Sequence, residues 1–393
     1  MRDEERLREE AQARAAQEEK LSFEANLPGP FRSNSPYHNT LQGTPIHGLI
    51  ASATGEKAFQ MNAITHTGTA NSDGVIITID EEAILDISAQ TFKVLIMLLS
   101  VATEQLPREN QITAEAIQKG RAVRISLEDY MRACRIKDKR TAREQLNTAI
   151  FALYGVSLEW DETEYNRPEG KSRKVKEKVH HRMRITDHTI TREEGNPVKN
   201  NVAEVRLSFD MAEYLSGSYI MPYPSALLTI NTKAHPYSIP LGWKLCALDN
   251  ANITNNHPER VGRTTVLTLL RAAKGIPRYE DIAHRGNIYD LLIKPFNRDL
   301  QELVSAGVLS SYHYETPLGE RIEGNQIGGI SYQEFISLYV CFELKGYPDQ
   351  TPRIEAKQKR ISAAISRAKS AARKRKEAEE QAAEEQRTEA GAQ

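Results

Sequence analysis

Cysteine is scarce: Cys134, Cys246 and Cys341 are the only three in 393 residues. They lie far apart, with no CxxC pair and no neighbouring histidine at zinc-ligand spacing. Neither a disulfide framework nor a metal site is expected, and the thiols read as reduced. Long apolar runs are missing too. The longest, Val94 to Leu99, falls far short of the ~20 residues that span a bilayer. The opening stretch MRDEERLREEAQARAAQEEK is too highly charged for a signal peptide. These absences point to a soluble, cytoplasmic protein with no membrane partner.

Catalytic signatures are equally thin. GLIASATGEKA lacks both the GxxxxGK[ST] spacing and the final hydroxyl of a phosphate loop. His180 and His181 are adjacent, so they do not form the His-apolar-His metal pair of DNA-nicking enzymes; in a basic setting they read as phosphate donors. The carboxylates form no DxD or DxE constellation. The expectation is a protein that is not an enzyme and uses no cofactor.

Hydrophobic residues make up 39% of the chain, aromatics 7% and charged residues 27%, with a net charge of −1. That total hides segregation: acid gathers at both ends and base in internal blocks, and blocks say more about partners than the sum does. Residues 1–45 combine a charged Ala/Glu/Arg stretch with NLPGPFRSNSPYHNT and read as a mobile N-terminal tail. Residues 351–393 read as a C-terminal helix or tail. It carries nine basic residues and no acid from Lys357 to Lys376, then turns acidic.

Between the tails one order of elements occurs twice. A first domain, 46–218, starts with the strand GVIITID. A helix from Ser88 follows, with Phe92, Leu95, Ile96 and Leu99 at core spacing. A second helix starts at Ser126, which suits an N-cap with Glu128 and Asp129 in the first turn. A third runs from about Lys139 to Tyr154, its apolar face made by Ala142, Leu146, Ala149, Ile150 and Leu153. The strands VSLEW, RMRIT and VRLSF come next. A second domain, 219–350, has helices over 236–250 and 265–273. Its third helix ends in KPFNRDLQELVSAGV, with Phe296, Leu300, Leu303 and Val304 inward and Pro295 at a first helical position or a bend. Strands VLSSYHYE and ISYQEFISLYVCFEL close it. Helix, helix, helix, strand, turn, strand, found twice, predicts an α+β protein of two tandem winged-helix domains.

A helix-turn-helix reads DNA by laying its last helix in the major groove. In the first domain this places Lys139, Arg140, Arg143, Glu144 and Asn147, with Thr141, on the open face. A long hairpin tip over 165–184 carries Arg167, Lys171, Arg173, Lys174, Lys176, Lys178, Arg182 and Arg184 against Glu169 and Glu177. Such a tip repels itself unless a polyanion neutralises it, which predicts phosphate contact. In the second domain the candidates are Arg285, Asn287, Tyr289, Lys294, Asn297 and Arg298. The partner expected is double-stranded DNA.

The segments DISAQTFKVLIMLLS, ISLEDYMRACRI and KRTAREQLNTAIFALYGVSLEW resemble the first winged helix of plasmid replication initiators of the iteron-binding type. TVLTLLRAAKGIP and IYDLLIKPFNRDLQELVSAGVLSSYHY resemble the second. The resemblance covers about residues 75–345; the long basic hairpin and the 357–376 block have no counterpart in it. It implies binding to direct repeats at a plasmid origin, opening of adjacent AT-rich DNA, and recruitment of a host replication initiator and a replicative helicase. It also implies homodimers, formed through the first domain, that repress transcription. The alternative on the same fold is a transcriptional or copy-control repressor without initiator activity.

Overall fold

A computed structural model of the chain describes residues 30–346 and residue 370, omitting 32–34, 43, 52–58, 73, 85, 167–173, 188–195, 256, 258–259, 274, 286 and 323–325. The side chains of 42, 44, 45, 72, 82, 163–166, 174–178 and 285 are likewise outside the description. Most of both expected tails falls outside it as well. The chain divides into two compact units. The first runs to Met221 and the second starts at Pro222, with residues 50–54 grouped with the second. Both are α+β, as expected.

The first unit opens with β1 (Tyr37–Gln42), β2 (Gln60–Asn62), β3 (Thr67–Ser72) and β4 (Val75–Asp80). Here the reading of 1–45 as a mobile tail needs correction at its end: Phe31 and Leu41 are buried and β1 belongs to it. Helix α1 (Ala89–Gln105) is buried almost all round from Phe92 to Ala102, the mark of a central core helix. Its start is held by Thr91 Oγ1, which accepts the Ser88 N–H at 3.1 Å.

Next come α2 (Ala114–Gly120) and β5 (Ala122–Ser126), then α3 (Leu127–Cys134) and α4 (Lys139–Tyr154). Ser126 caps α3 by accepting from Asp129 N–H at 3.0 Å, and Asp138 caps α4 by accepting from Thr141 N–H at 2.6 Å. Each cap satisfies an N–H that the helix start leaves orphaned. Ala142, Leu146, Ala149, Ile150 and Leu153 are all buried, so α3 and α4 form the expected helix-turn-helix. Between them Arg135 takes the left-handed conformation at φ 53°.

The strands that follow depart from expectation. β6 (Val156–Asn166) and β7 (Lys174–Arg184) form a long hairpin. It extends a five-stranded sheet in the order β2-β3-β4-β6-β7, with Val75, Ile77, Ile79, Leu158 and Trp160 beneath it. The strand that returns to the helix-turn-helix is a different one. β9 (Val202–Arg206) pairs antiparallel with β5, from Ala122↔Arg206 to Ser126↔Val202, and β8 (Val198–Lys199) pairs with β9. The wing of this unit is therefore β8–β9, and the basic β6–β7 hairpin is an additional arm. The tip residues Asn200 and Asn201 have φ of 50° and 65°, the left-handed pair a two-residue hairpin turn requires and asparagine tolerates. VRLSF is also not one strand. It stops at Arg206, and Ser208 caps α5 (Phe209–Ser216) by accepting from Met211 N–H.

The second unit follows β10 (Tyr219–Pro224) with α6 (Ser238–Thr254), β11 (Arg263–Thr265), α7 (Val266–Ala272) and α8 (Tyr279–Ile282). A π-helical turn, Tyr289–Ile293, runs into α9 (Lys294–Ser305), so the helix passes into Pro295 through a widened turn instead of breaking. Phe296, Leu300 and Leu303 are buried as expected. β12 (Leu309–Glu315), β13 (Arg321–Ile322) and β14 (Tyr339–Leu344) complete a sheet ordered β11-β14-β12-β13. ISYQEFISLYVCFEL is not a single strand. Ser331 and Glu334 close a reciprocal capping box on α10 (Tyr332–Ser337), and β14 begins after it.

Helix α9 is tied down by a fully buried carboxylate. Asp299 accepts from Tyr237 N–H at 2.7 Å and from Arg298 Nε at 2.9 Å, while Ser238 Oγ donates to its carbonyl at 3.1 Å. Hydrogen bonds to a charged group contribute about 1.5–3 kcal/mol, and the partners left unpaired add to the loss. Asp299→Ala is expected to destabilise the second unit by at least that range. Urea denaturation checks this, with Asp299→Asn retaining part of the stability.

Candidate nucleic-acid interface

The described surface of α4 divides the sequence candidates. Lys139, Arg140, Thr141, Arg143 and Glu144 are exposed. Arg140 Nε lies 2.9 Å from Glu144 Oε1, a pair 87% and 64% exposed. An exposed i,i+4 pair contributes only a few tenths of a kcal/mol, so a phosphate or a base edge can displace Glu144 at little cost. Arg143 Nη2 donates to Asn201 Oδ1 at 2.6 Å. The open end of α4 and the tip of the β8–β9 wing therefore meet on one side of the unit.

Asn147 does not belong to this face. It is 9% exposed, and its Oδ1 accepts from Val198 N–H at 2.9 Å. A buried peptide N–H needs a partner, and Asn147 supplies it for the wing strand; the assignment as a base reader is corrected to a structural one.

Sequence reasoning passed over the turn and the wing. Arg135, Lys137, Lys199, Asn200 and Asn201 are all exposed. From Arg135 to Arg143 the chain carries five basic residues against Asp138 alone, and that carboxylate is already engaged in capping α4. The run RIKDKRTAR showed this signal in sequence. The wing did not, because its partner strand β5 lies far upstream.

The β6–β7 arm also differs from expectation. Its acidic strand lies opposite its basic one: Glu159↔Arg182 and Asp161↔His180 are registered pairs. His180 Nδ1 is 2.8 Å from Asp161 Oδ1 and its Nε2 is 3.4 Å from Glu159 Oε1; Arg182 Nε is 3.9 Å from Glu159 Oε2. His181 lies 3.6 Å from Glu162 and stacks on Trp160 with ring centroids 4.8 Å apart. At the base of the arm the basic strand faces carboxylates of β6, which offset its positive charge there. Arg182 remains 80% exposed. Towards the tip, residues 163–178 carry six basic and three acidic side chains. Arg173 lies outside the described residues. Lys174, Lys176 and Lys178 lie on β7, their side chains outside the description.

In the second unit the candidates scatter. Arg285 ends a short 3-10 turn, Ala283–Arg285. Asn287 caps the following helix: its Oδ1 accepts from Asp290 N–H at 3.1 Å and its Nδ2 donates to Asp290 Oδ2 at 2.7 Å. Lys294 is 65% exposed, 3.4 Å from Asp290. Asn297 is corrected, and Arg298 is half-exposed beside a carboxylate. Asn297 turns inward, its Oδ1 accepting from the Tyr312 and Tyr314 hydroxyls. Arg298 places Nε and Nη2 each 2.9 Å from the buried Asp299. Asn287, Tyr289 and Lys294 are left as the polar surface at the start of this helix.

The described geometry defines a chain of two winged-helix units. No family model and no curated protein matches the sequence. Two solved structures are similar in fold. One, a crystal structure of selenomethionine derivatives of domains 2 and 3 of RctB, has a TM-score of 0.38 and 13% identity; the match covers 76% of this chain and 98% of that one. The other, a crystal structure of RctB domains 2-3 (RctB-155-483), has a TM-score of 0.36 and 13% identity, covering 79% and 99%. Among the described residues no helix is long and apolar enough to cross a membrane.

Proposed function

We propose that this chain is a sequence-specific binder of double-stranded DNA that initiates replication at a plasmid origin, and that it acts by binding and not by covalent chemistry. The observation that carries the DNA-binding reading is the convergence, in the first unit, of the exposed basic run Arg135–Arg143 with the Asn200–Asn201 wing tip, joined by Arg143 and Asn201. Lys139, Arg140 and Arg143 are the base-reading and phosphate-contacting candidates. Lys199, Asn200 and Asn201 reach the flanking backbone or groove, and Asn287 and Lys294 form a second, weaker reading end. Two linked reading heads raise affinity through effective concentration without either binding tightly.

The initiator role and the partners that go with it, a host replication initiator, a replicative helicase and a second copy of this chain, rest on the resemblance in the sequence segments. The test is the DNA beside the gene. Several direct repeats about two helical turns long next to an AT-rich stretch, bound by the purified protein and opened on binding, support the initiator. A single inverted repeat over a promoter, bound without opening, supports the repressor instead.

The tip of the β6–β7 arm is expected to hold phosphates without reading bases. Replacing Arg173, Lys174 and Lys176 with alanine should weaken binding to every duplex alike. If all three contact phosphate, it should also flatten the log–log salt slope by about 0.9 per lost contact. Fluorescence anisotropy on cognate and random duplexes over a salt series measures both. A loss confined to the cognate site would make the arm a base reader.

A further inference from the structure

We propose that the second unit carries a binding site for a divalent metal ion of zinc type, formed by His313, Glu315 and Cys341. His313 and Glu315 alternate along β12 and so share one face of the sheet. Cys341 on β14 is the Cα partner of His313. One ligand atom from each of the three lies within 4.8 Å of the others, and His313 Nε2 stands 3.2 Å from Glu315 Oε1. Tetrahedral bonds of about 2.0–2.3 Å put neighbouring ligand atoms roughly 3.3–3.8 Å apart. The histidine and the carboxylate already have about that spacing, and the thiol needs only a small adjustment.

The chemistry of the set selects the ion. One imidazole, one carboxylate and one thiol suit zinc and its borderline neighbours. Magnesium and calcium prefer oxygen alone. Cys341 is buried, whereas the side chains of His313 and Glu315 are 29% and 23% exposed. One side is therefore open for the ion to enter and for water to fill a fourth position.

Arg263 is the feature that argues against a cation here, and its placement answers the objection. Its Nε lies 3.3 Å from Oε2 of Glu315, the oxygen turned away from His313, and its guanidinium sits 3.8 Å above the Tyr339 ring. Arg263, the Cα partner of Cys341 on β11, thus pairs with the outer carboxylate oxygen and leaves Oε1 to face His313, as outer partners of metal ligands do. Without metal, hydrogen bonds from His313 and from the Cys341 thiol converge on Glu315. Binding replaces the thiol proton with the ion and releases it to solvent. The three ligands join β12 to β14, neighbouring strands of the second unit's sheet. Wide separation in sequence hides the set from any spacing rule.

The experiment is a Co²⁺ titration of the full chain in reducing buffer. The expected result is a near-ultraviolet thiolate-to-cobalt band that saturates at one equivalent and is displaced by Zn²⁺. The band should vanish in Cys341→Ala and persist in Cys134→Ala and Cys246→Ala. His313→Gln alters a partly exposed side chain and leaves the buried thiol in place, which keeps the test valid if Cys341→Ala folds poorly. It should weaken Co²⁺ binding tenfold or more. Absence of the band in the unmodified protein overturns the proposal. So does its persistence in Cys341→Ala, or unchanged affinity in His313→Gln.

Discussion

Phe296→Ala is expected to destabilise the second unit by about 3–5 kcal/mol, the range for truncating a fully buried phenylalanine. Phe296 has no exposed surface. Its ring meets Phe335 edge-on with centroids 5.7 Å apart, and Phe335 in turn lies 6.4 Å from the ring of Tyr314. This cluster joins α9, α10 and β12, so the cavity would open where three elements meet and none can collapse into it alone. The two tryptophans make the measurement specific. Trp160 is buried in the first unit and Trp243 in the second. In a Trp160→Phe background, fluorescence during urea denaturation follows the second unit. The midpoint should fall with the slope unchanged. A loss below 1 kcal/mol would mean that α9 does not pack as described.

The helices were legible where local chemistry decides them. Ser126 caps its helix as its side chain suggests, the helices expected from Ser88 and Thr265 start there, and the buried stripe from Ala142 to Leu153 follows directly from a 3.6-residue period. What escaped is what depends on partners distant in the chain. Asn147 is adjacent to Leu146 and sits at the margin of the apolar stripe, where a helical period cannot say which side it faces. The deciding partner is Val198. Asn297 was misplaced for the same reason: the Tyr312 hydroxyl decides its direction.

The wing was missed because RMRIT and VRLSF both alternate well, and alternation cannot say which strand pairs with β5. Ser331 and Glu334 are a different case. S-x-x-E was present as a capping-box signature, but the alternating apolar residues on both sides of it favoured one long strand. The arm was half legible: its basic residues stood out, and the carboxylates of β6 became counter-charges for Arg182 and His180 only once the register set Glu159 and Asp161 against them.

The corrected geometry sharpens what should happen when the reading helix is altered. Arg140→Ala and Arg143→Ala each remove an exposed guanidinium without opening a cavity, so stability should change by no more than about 0.5 kcal/mol. If each arginine grips a base, its loss costs about 1–3 kcal/mol of discrimination. At 1.4 kcal/mol per tenfold, that is roughly a 5- to 150-fold fall in the cognate-to-random affinity ratio. Arg143 carries the sharper version of the test because Asn201 orients it. Asn201→Gly keeps the left-handed turn and removes the amide, so it should reproduce part of the Arg143→Ala defect and add little to it in the double variant. Contacting residues fail to add in this way and independent ones do not. Two controls bracket the result. Leu146→Ala should cost about 2–5 kcal/mol of stability. Asn147→Ala leaves Val198 N–H unpaired and should cost about 1–3 kcal/mol while preserving base preference in whatever fraction stays folded. The assay is binding of each variant to all single-base substitutions of the cognate site. Unchanged preference at every position in both arginine variants would remove α4 from the reading surface. Specificity would then pass to the second unit, where Asn287 and Lys294 are the exposed polar groups at the start of the corresponding helix.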